Sequence, residues 1–285
     1  MGARALLSTA LVLVAAAAVA GCGGSSSAEA PPTTIAGPKV LHIVFPEGFT
    51  RAQMAERVAA VREIARRRRG VTPRMTARGY LAATASSVLP GRFASDRRRR
   101  SLEGFLFPAT YAFFSNDTAR ELVRRQLRTF KSEWGRVNLR YARSKNLTPY
   151  DVLTIASMIE REVIVPRERR LVAAVIYNRL HARMPLGIDA TLRYGLGIPP
   201  TQAITASELA SDSPYNTRRF PGLPPTPIAN PGLASIQAAA HPAHVPYLYF
   251  VRRPDCRSHF FTASAAAFDA YTRKGLECSR GRPAS

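Results

Sequence analysis

Two glutamates lie near the end of an apolar stretch, "LTIASMIEREV", at residues 153–163. A carboxyl group beside an apolar surface can serve as a general acid or base, because burial raises its pKa toward neutrality. Glu160 and Glu162 are therefore candidates for proton-transfer chemistry. The alternative is that both are solvated and pair with nearby arginines such as Arg161 and Arg167.

The stretch has the periodicity of a helix that starts after Thr148, a suitable N-cap, with Pro149 in its first turn. On a projection of about 100° per residue, both glutamates fall about 80° from the centre of one apolar stripe, on opposite sides. The stripe consists of Val152, Ile155, Ala156, Ile159 and Val163. Periodicity does not separate the two acids, and this geometry alone favours solvated glutamates.

Composition limits the class of protein. The 285 residues are 46% hydrophobic, which is enough for the core of one large domain or two modest ones. The net charge of +22 predicts attraction to a polyanion. Nucleic acid, anionic lipid headgroups and anionic cell-wall polymers all fit that charge, so the cellular compartment must decide among them.

The N-terminus indicates export. Residues 1–21 have a short basic start and an apolar run, as a secretory signal peptide does. "VAGC" resembles the bacterial lipobox, which predicts lipidation of Cys22 and a flexible tether over residues 22–37. The alternative is an uncleaved single-pass anchor. Either one places the protein on the extracytoplasmic face of the bacterial membrane, where nucleic acid is not an expected partner.

The cysteines leave one question open. If Cys22 is lipidated, Cys256 and Cys278 remain as a pair in an exported chain. They could form a disulfide or remain two buried thiols, since sequence says nothing of their separation in space.

The elements that position the glutamates can be predicted from patterning. "KVLHIVFPEGF" predicts a strand that leaves into a turn, followed by a helix with Thr50 as N-cap and Gly70 at its end. A second short helix, a basic connector and several amphipathic helices follow. Helix signals fade from Pro185, and residues 213–233 predict either a long ordered loop or disorder. "YLYFVRR" and "SHFFTAS" predict paired strands before a last helix.

Several motifs carry a family resemblance. The stretches that occur in order and with close spacing are "ASMIEREV", "PRERRLVAAVIYNRL", "MPLGIDATLRYGLG", "SDSPYNT", "GLPPTPIANPGLASIQAAAHPA" and "YLYFV". Together they resemble the YceG-like family of endolytic murein transglycosylases. "FPEGFTRAQMAERV" resembles the LysM-like subdomain of that family, and "LEGFLFPATY" resembles the segment that joins it to the catalytic domain. The resemblance covers about residues 38–265.

The resemblance implies a specific reaction. Members cleave the bond between N-acetylmuramic acid and N-acetylglucosamine within nascent glycan strands, leave 1,6-anhydro-muramyl ends and so terminate elongation. They use no metal or other cofactor. The implied partners are peptidoglycan glycan strands, the cell membrane through the lipid anchor, and peptidoglycan synthases.

The resemblance also implies roles for residues. The first glutamate of the family's Glu-x-Glu pair is catalytic and falls on Glu160, and Glu162 supports the site. The positions that match cleft-lining elements are Asp189, Tyr194, Tyr215 and Asn216. The chain departs from the family pattern at Ala190, where proline is usual, and at Thr226, where glycine is common.

One glutamate suffices for such a reaction. It protonates the leaving oxygen and then accepts the proton of the muramyl C6 hydroxyl, an internal nucleophile whose effective concentration is already high. A muramidase on the same fold is the second possibility, and it would need another carboxylate, such as Asp189 or Asp212. A noncatalytic wall-binding lipoprotein is the third.

The predicted fold class is α+β. A LysM-like module occupies residues 38–90, a connector 91–104, and a mixed α+β catalytic domain 105–275, before a tail at 276–285.

Overall fold

The computed structural model describes residues 40–85, 89, 93, 100–275 and 278. The predicted signal peptide, Cys22 and the tether lie outside the described residues, as do most of the predicted connector and tail. Pro38–Ser285 forms one compact unit.

The described chain consists of α-helices and two small sheets. The helices are α1 (Arg51–Arg69), α2 (Ala77–Ala85), α3 (Ala119–Trp134), α4 (Arg140–Ser144), α5 (Pro149–Glu162), α6 (Arg169–His181), α7 (Asp189–Leu196), α8 (Ala206–Leu209), α9 (Leu233–Ala240) and α10 (Ala265–Arg273). The strands are β1 (Leu41–Val44), β2 (Thr110–Phe113), β3 (Tyr249–Arg252) and β4 (His259–Thr262). The α+β fold class predicted from the sequence is confirmed.

Each sheet is an antiparallel pair. In the first, Leu41 of β1 lies opposite Phe113 of β2. In the second, Tyr249 of β3 lies opposite Thr262 of β4, as the sequence predicted. β1 falls within the predicted LysM-like module, whereas β2 falls beyond its predicted end at residue 90. The boundaries of that module and its LysM-like identity stay predictions.

The predicted caps of the early helices are present. Thr50 and Gln53 form a capping box at the start of α1, and Gly70 ends it with a left-handed φ of 62°. Thr148 and Asp151 form the equivalent box at the start of α5, with Pro149 in the first turn. These contacts fix where each helix begins, and therefore which residue of α5 reaches its far end.

α5 is the central helix of the core. It packs against α6, α7 and α9, and every residue from Val152 to Ile159 is buried. The predicted apolar stripe is buried, and the other faces of the helix are buried as well, because neighbouring elements cover it on all sides. Glu160 is the first residue of α5 after this run that solvent reaches.

Three short helices were not predicted, namely α4, α7 and α8. α7 and α8 lie where helix signals fade, and α7 contains Gly195, which weakens helical propensity. The loop that follows is ordered, as one of the two predicted alternatives required. Across the described ranges, no helix is both long and apolar enough to cross a membrane.

Candidate active site

Glu160 lies where α5 meets the loop before α9. Its Oε2 accepts a hydrogen bond of 3.0 Å from the backbone N–H of Gly232, the N-cap of α9. An N–H at a helix N-terminus favours a negative charge, because the helix dipole adds to the hydrogen bond. The carboxyl group is thus held in one place at the surface, where a substrate can reach it.

The turn after β1 forms the other side of the site. Gly48 has a φ of 77°, and a Cβ at this position would lie 3.5 Å from Cγ of Glu160. Its N–H donates to the carbonyl of Asn230, and its carbonyl accepts from Nη1 of Arg161 at 3.2 Å. The "FPEGF" turn therefore packs directly against the end of α5.

Glu47, in the same turn, contacts Gly232 at the place that a side chain there would occupy. A Cβ atom at position 232 would overlap Oε1 and Cδ of Glu47. Burial of the carboxyl group and the nearby charge of Glu160 raise the pKa of Glu47, and Arg169 partly offsets this rise. Two carboxyl groups therefore flank one glycine at the end of α5.

A buried carboxyl group links the elements that surround Glu160 and Glu47. Glu103 is 2% exposed and accepts hydrogen bonds from the Arg51 backbone N–H, the Tyr194 hydroxyl and Nδ2 of Asn230. Its burial raises its pKa to about 7. Asn230 is also fully buried and accepts from the N–H of Leu106, so one side chain joins the loop before α9 to the segment around Glu103.

Glu162 lines a cavity to which Glu160 does not contribute. Its carboxylate lies 3.8 Å from Nη2 of Arg252, and the backbone N–H of Ala190 also faces it. Burial raises the pKa of Glu162, an effect that Arg252 opposes. The cavity has a volume of about 750 Å³, within the range of small-ligand sites. Its charged lining consists of Glu162, Asp189, Arg161, Arg179, Arg193, Arg218 and Arg252.

The remaining predicted site residues fall into two groups. Asp189 lies in the cavity beside Glu162 and pairs with Nε of Arg218 at 2.6 Å. The Tyr194 and Tyr215 rings are 5.3 Å apart, and Tyr194 reaches Glu103. The structure thus brings Glu162 close to Asp189, and Tyr194 close to Tyr215.

The side-chain amide of Asn216 makes its hydrogen bonds within its own segment of the chain. It is fully buried, and its side-chain amide donates to the carbonyl oxygens of Leu209 and Ser211, each at 2.9 Å. Both amide hydrogens are therefore used within the protein. Any effect of Asn216 on a ligand passes through the shape of this loop.

Both departures from the family pattern make polar contacts with predicted site residues. Ala190 presents to Glu162 a backbone N–H that proline would lack. Oγ1 of Thr226 lies 2.8 Å from the hydroxyl of Tyr215, a contact that glycine could not make. These substitutions change the support of Glu162 and Tyr215 but do not touch the hydrogen bond to Glu160.

Cys256 and Cys278 form a disulfide, one of the two alternatives that the sequence left open. Both cysteines line the cavity that contains Glu162. The bond joins residues 22 positions apart, and closing a loop of this size in the unfolded chain contributes about 3 kcal/mol of stability. In the described part of the chain, no group of three or more His, Cys, Asp or Glu side chains could hold a metal ion.

Sequence reasoning missed the roles of Glu47, Glu103 and Asn230 in the site. Two of them share a signal: Glu47 and Glu103 each precede a glycine with positive φ, at 77° for Gly48 and 89° for Gly104. Glu103 is also the single charge within the apolar stretch "LEGFLFP". An isolated charge in such a stretch indicates a buried, hydrogen-bonded group.

Known proteins are similar to this chain in sequence and fold. The model of the YceG-like family matches residues 24–274. A Bacillus subtilis protein named endolytic murein transglycosylase is 38% identical over 163 residues, which are 54% of this chain and 43% of that protein. A Streptococcus pneumoniae protein of the same name is 32% identical over 235 residues, which are 75% of this chain and 41% of that protein.

A solved structure agrees with these matches. The crystal structure of a YceG-like protein from Listeria monocytogenes has a TM-score of 0.65 and 28% sequence identity, and the match covers 80% of this chain and 75% of that one. The chain spans about two fifths of the length of the curated relatives that it matches. Because the family model covers nearly the whole chain, including the turn, the loop and the glutamate described above, this protein belongs to the YceG-like family.

Proposed function

We propose that this protein is an endolytic murein transglycosylase that cleaves peptidoglycan glycan strands. The observation that carries the proposal is the position of Glu160, which is accessible at the end of a buried helix and held by the N–H of Gly232. Relatives that carry the name endolytic murein transglycosylase support the same activity.

The chemistry follows from one accessible carboxyl group. Glycosidic cleavage needs a proton on the leaving oxygen, and the C6 hydroxyl of the muramyl ring can then attack C1 of the same ring. The hydroxyl proton returns to a carboxylate, so protons balance and no water is consumed. The product carries a 1,6-anhydro-muramyl end, and the Glu160 site is where the protons move.

A muramidase is the second candidate, and one observation favours it. A hydrolase needs another carboxyl group near the first. Asp189 and Asp212, the residues that the sequence suggested, pair with Arg218 and Arg219 respectively. The carboxyl group that shares Gly232 with Glu160 is instead that of Glu47, which could serve a hydrolase.

The products distinguish these functions. Purified glycan strands are digested with the wild-type protein, and the fragments are analysed by mass spectrometry. We expect anhydro-muramyl ends at internal cleavage positions. Hydrated reducing ends would instead establish the muramidase, and a folded protein that binds strands without cutting them would establish the wall-binding alternative.

The site of action follows from the N-terminus. We expect Cys22 to carry a lipid that holds the protein on the outer face of the bacterial membrane, where the net charge of +22 suits anionic lipids and wall polymers. Expression in a bacterial host should give a membrane-bound form whose N-terminal peptide has the mass of a diacylglyceryl-cysteine. A Cys22→Ser variant that keeps the full-length signal and stays equally membrane-bound would indicate the single-pass anchor.

A further inference from the structure

We propose that Glu47 is a second catalytic carboxyl group, which donates the proton to the leaving oxygen while Glu160 accepts the proton of the attacking hydroxyl. This inference rests on the proposed function and divides between two residues the roles that one glutamate would otherwise play in turn.

Gly232 gives the geometric reason for pairing these residues. Its backbone angles, φ −75° and ψ 169°, are open to any residue, so conformation does not require glycine there. The Glu47 carboxyl group occupies the place that a Cβ would take, so any larger residue at position 232 would displace it. The same residue donates its N–H to Oε2 of Glu160. One glycine therefore brings both carboxyl groups together.

The surroundings of the two carboxyl groups differ. Oε2 of Glu160 accepts the N–H of Gly232 at the start of α9. The positively charged groups nearby are Arg161, which donates to the Gly48 carbonyl, and Arg169, which donates to Oγ of Ser235. Burial of the Glu47 carboxyl group and the charge of Glu160 raise the pKa of Glu47, and Arg169 opposes this only in part. These surroundings therefore stabilise the protonated form of Glu47.

Solvent reaches both residues. Glu47 as a whole residue is exposed, although its carboxyl group packs against Gly232. A strand lying over the turn could thus reach both acids. In the reaction, the bond from C1 to the leaving oxygen breaks as that oxygen takes the Glu47 proton, and the bond from C1 to O6 forms as Glu160 takes the hydroxyl proton. A proton transfer from Glu160 back to Glu47 restores the starting state.

The test compares Glu47→Gln with wild type in the strand-cleavage assay across pH. We expect Glu47→Gln to lower kcat about 100-fold and to change KM little. The decline in rate at high pH, which deprotonation of Glu47 causes in the wild type, should disappear. Glu47→Asp should recover part of the rate, since it keeps a titratable group. Glu56→Gln is the matched control, because Glu56 is exposed on α1 in the same part of the chain.

A second measurement needs no substrate. Carbon-13 NMR of the glutamate carboxyl groups in the full chain should show Glu47 titrating above its ordinary range, and closer to that range in Glu160→Gln. If the wild type cleaves strands and Glu47→Gln has the same kcat and pH profile, the role of Glu47 is overturned and the proposed function stands. Absence of cleavage by folded wild-type protein would overturn the proposed function and this role together, even if the two carboxyl groups titrate as a pair.

Discussion

Glu160→Gln is expected to lower the rate of strand cleavage by about 10² to 10⁴-fold, the range that removal of a general acid or base produces. Glutamine keeps the size of the side chain, and its carbonyl can still accept the N–H of Gly232, which is 3.0 Å from Oε2 in the wild type. It cannot gain or lose a proton in the reaction. The measurement is the initial rate of fragment release, counted by strand ends in mass spectrometry.

Stability is the control for this variant. Glu160 is partly exposed and lies at the end of α5, so the free energy of unfolding should change by less than about 0.5 kcal/mol. Glu162→Gln provides a comparison two residues away, in the cavity with Arg252. A Glu160→Gln variant as active as wild type, beside an inactive Glu162→Gln, would move the reaction to the cavity of Glu162.

The sequence was most informative where local physics decides the structure. Thr50, Gly70 and Thr148 cap helices through their own side chains or backbone angles, and the structure places the caps where the sequence predicted them. The burial of α5 on all sides was not predictable in this way. It depends on packing against α9, which comes from a distant part of the chain, as well as against the neighbouring α6.

In the candidate site, too, local patterns predict some features, and contacts between distant residues decide the others. The choice between Glu160 and Glu162 could not be made from periodicity, because both lie at the edge of one apolar stripe. It rests on what approaches each residue from elsewhere: the loop at Gly232 for the first, and Arg252 with Ala190 for the second. Glu47 is more than 100 positions from Glu160, so no local pattern could reveal that they meet.

The second large expected effect is the pH dependence of stability that Glu103 causes, because a carboxyl group buried to this degree is costly to ionise. It is 2% exposed, and its hydrogen-bond donors come from three separate elements: Arg51 at the start of α1, Tyr194 in α7, and Asn230 in the loop before Gly232. Glu103 therefore joins the turn, the tyrosine pair and the loop that holds Glu160. Its protonation state bears on the stability of the whole site.

Wild-type protein should lose about 3 kcal/mol of unfolding free energy, relative to a Glu103→Gln variant, as the pH rises from about 4.5 to above 7. Burial raises the pKa of Glu103 in the folded protein to about 7 from an ordinary value of 4.5. The folded state therefore binds this proton more tightly than the unfolded state does. The resulting stabilisation is complete below the unfolded value and is lost as the pH passes through the folded one. Urea denaturation of both proteins at a series of pH values measures the difference, and all other titrating groups cancel in the comparison. A difference that stays constant from pH 4 to pH 8 would show that Glu103 ionises as readily in the folded protein as in the unfolded chain.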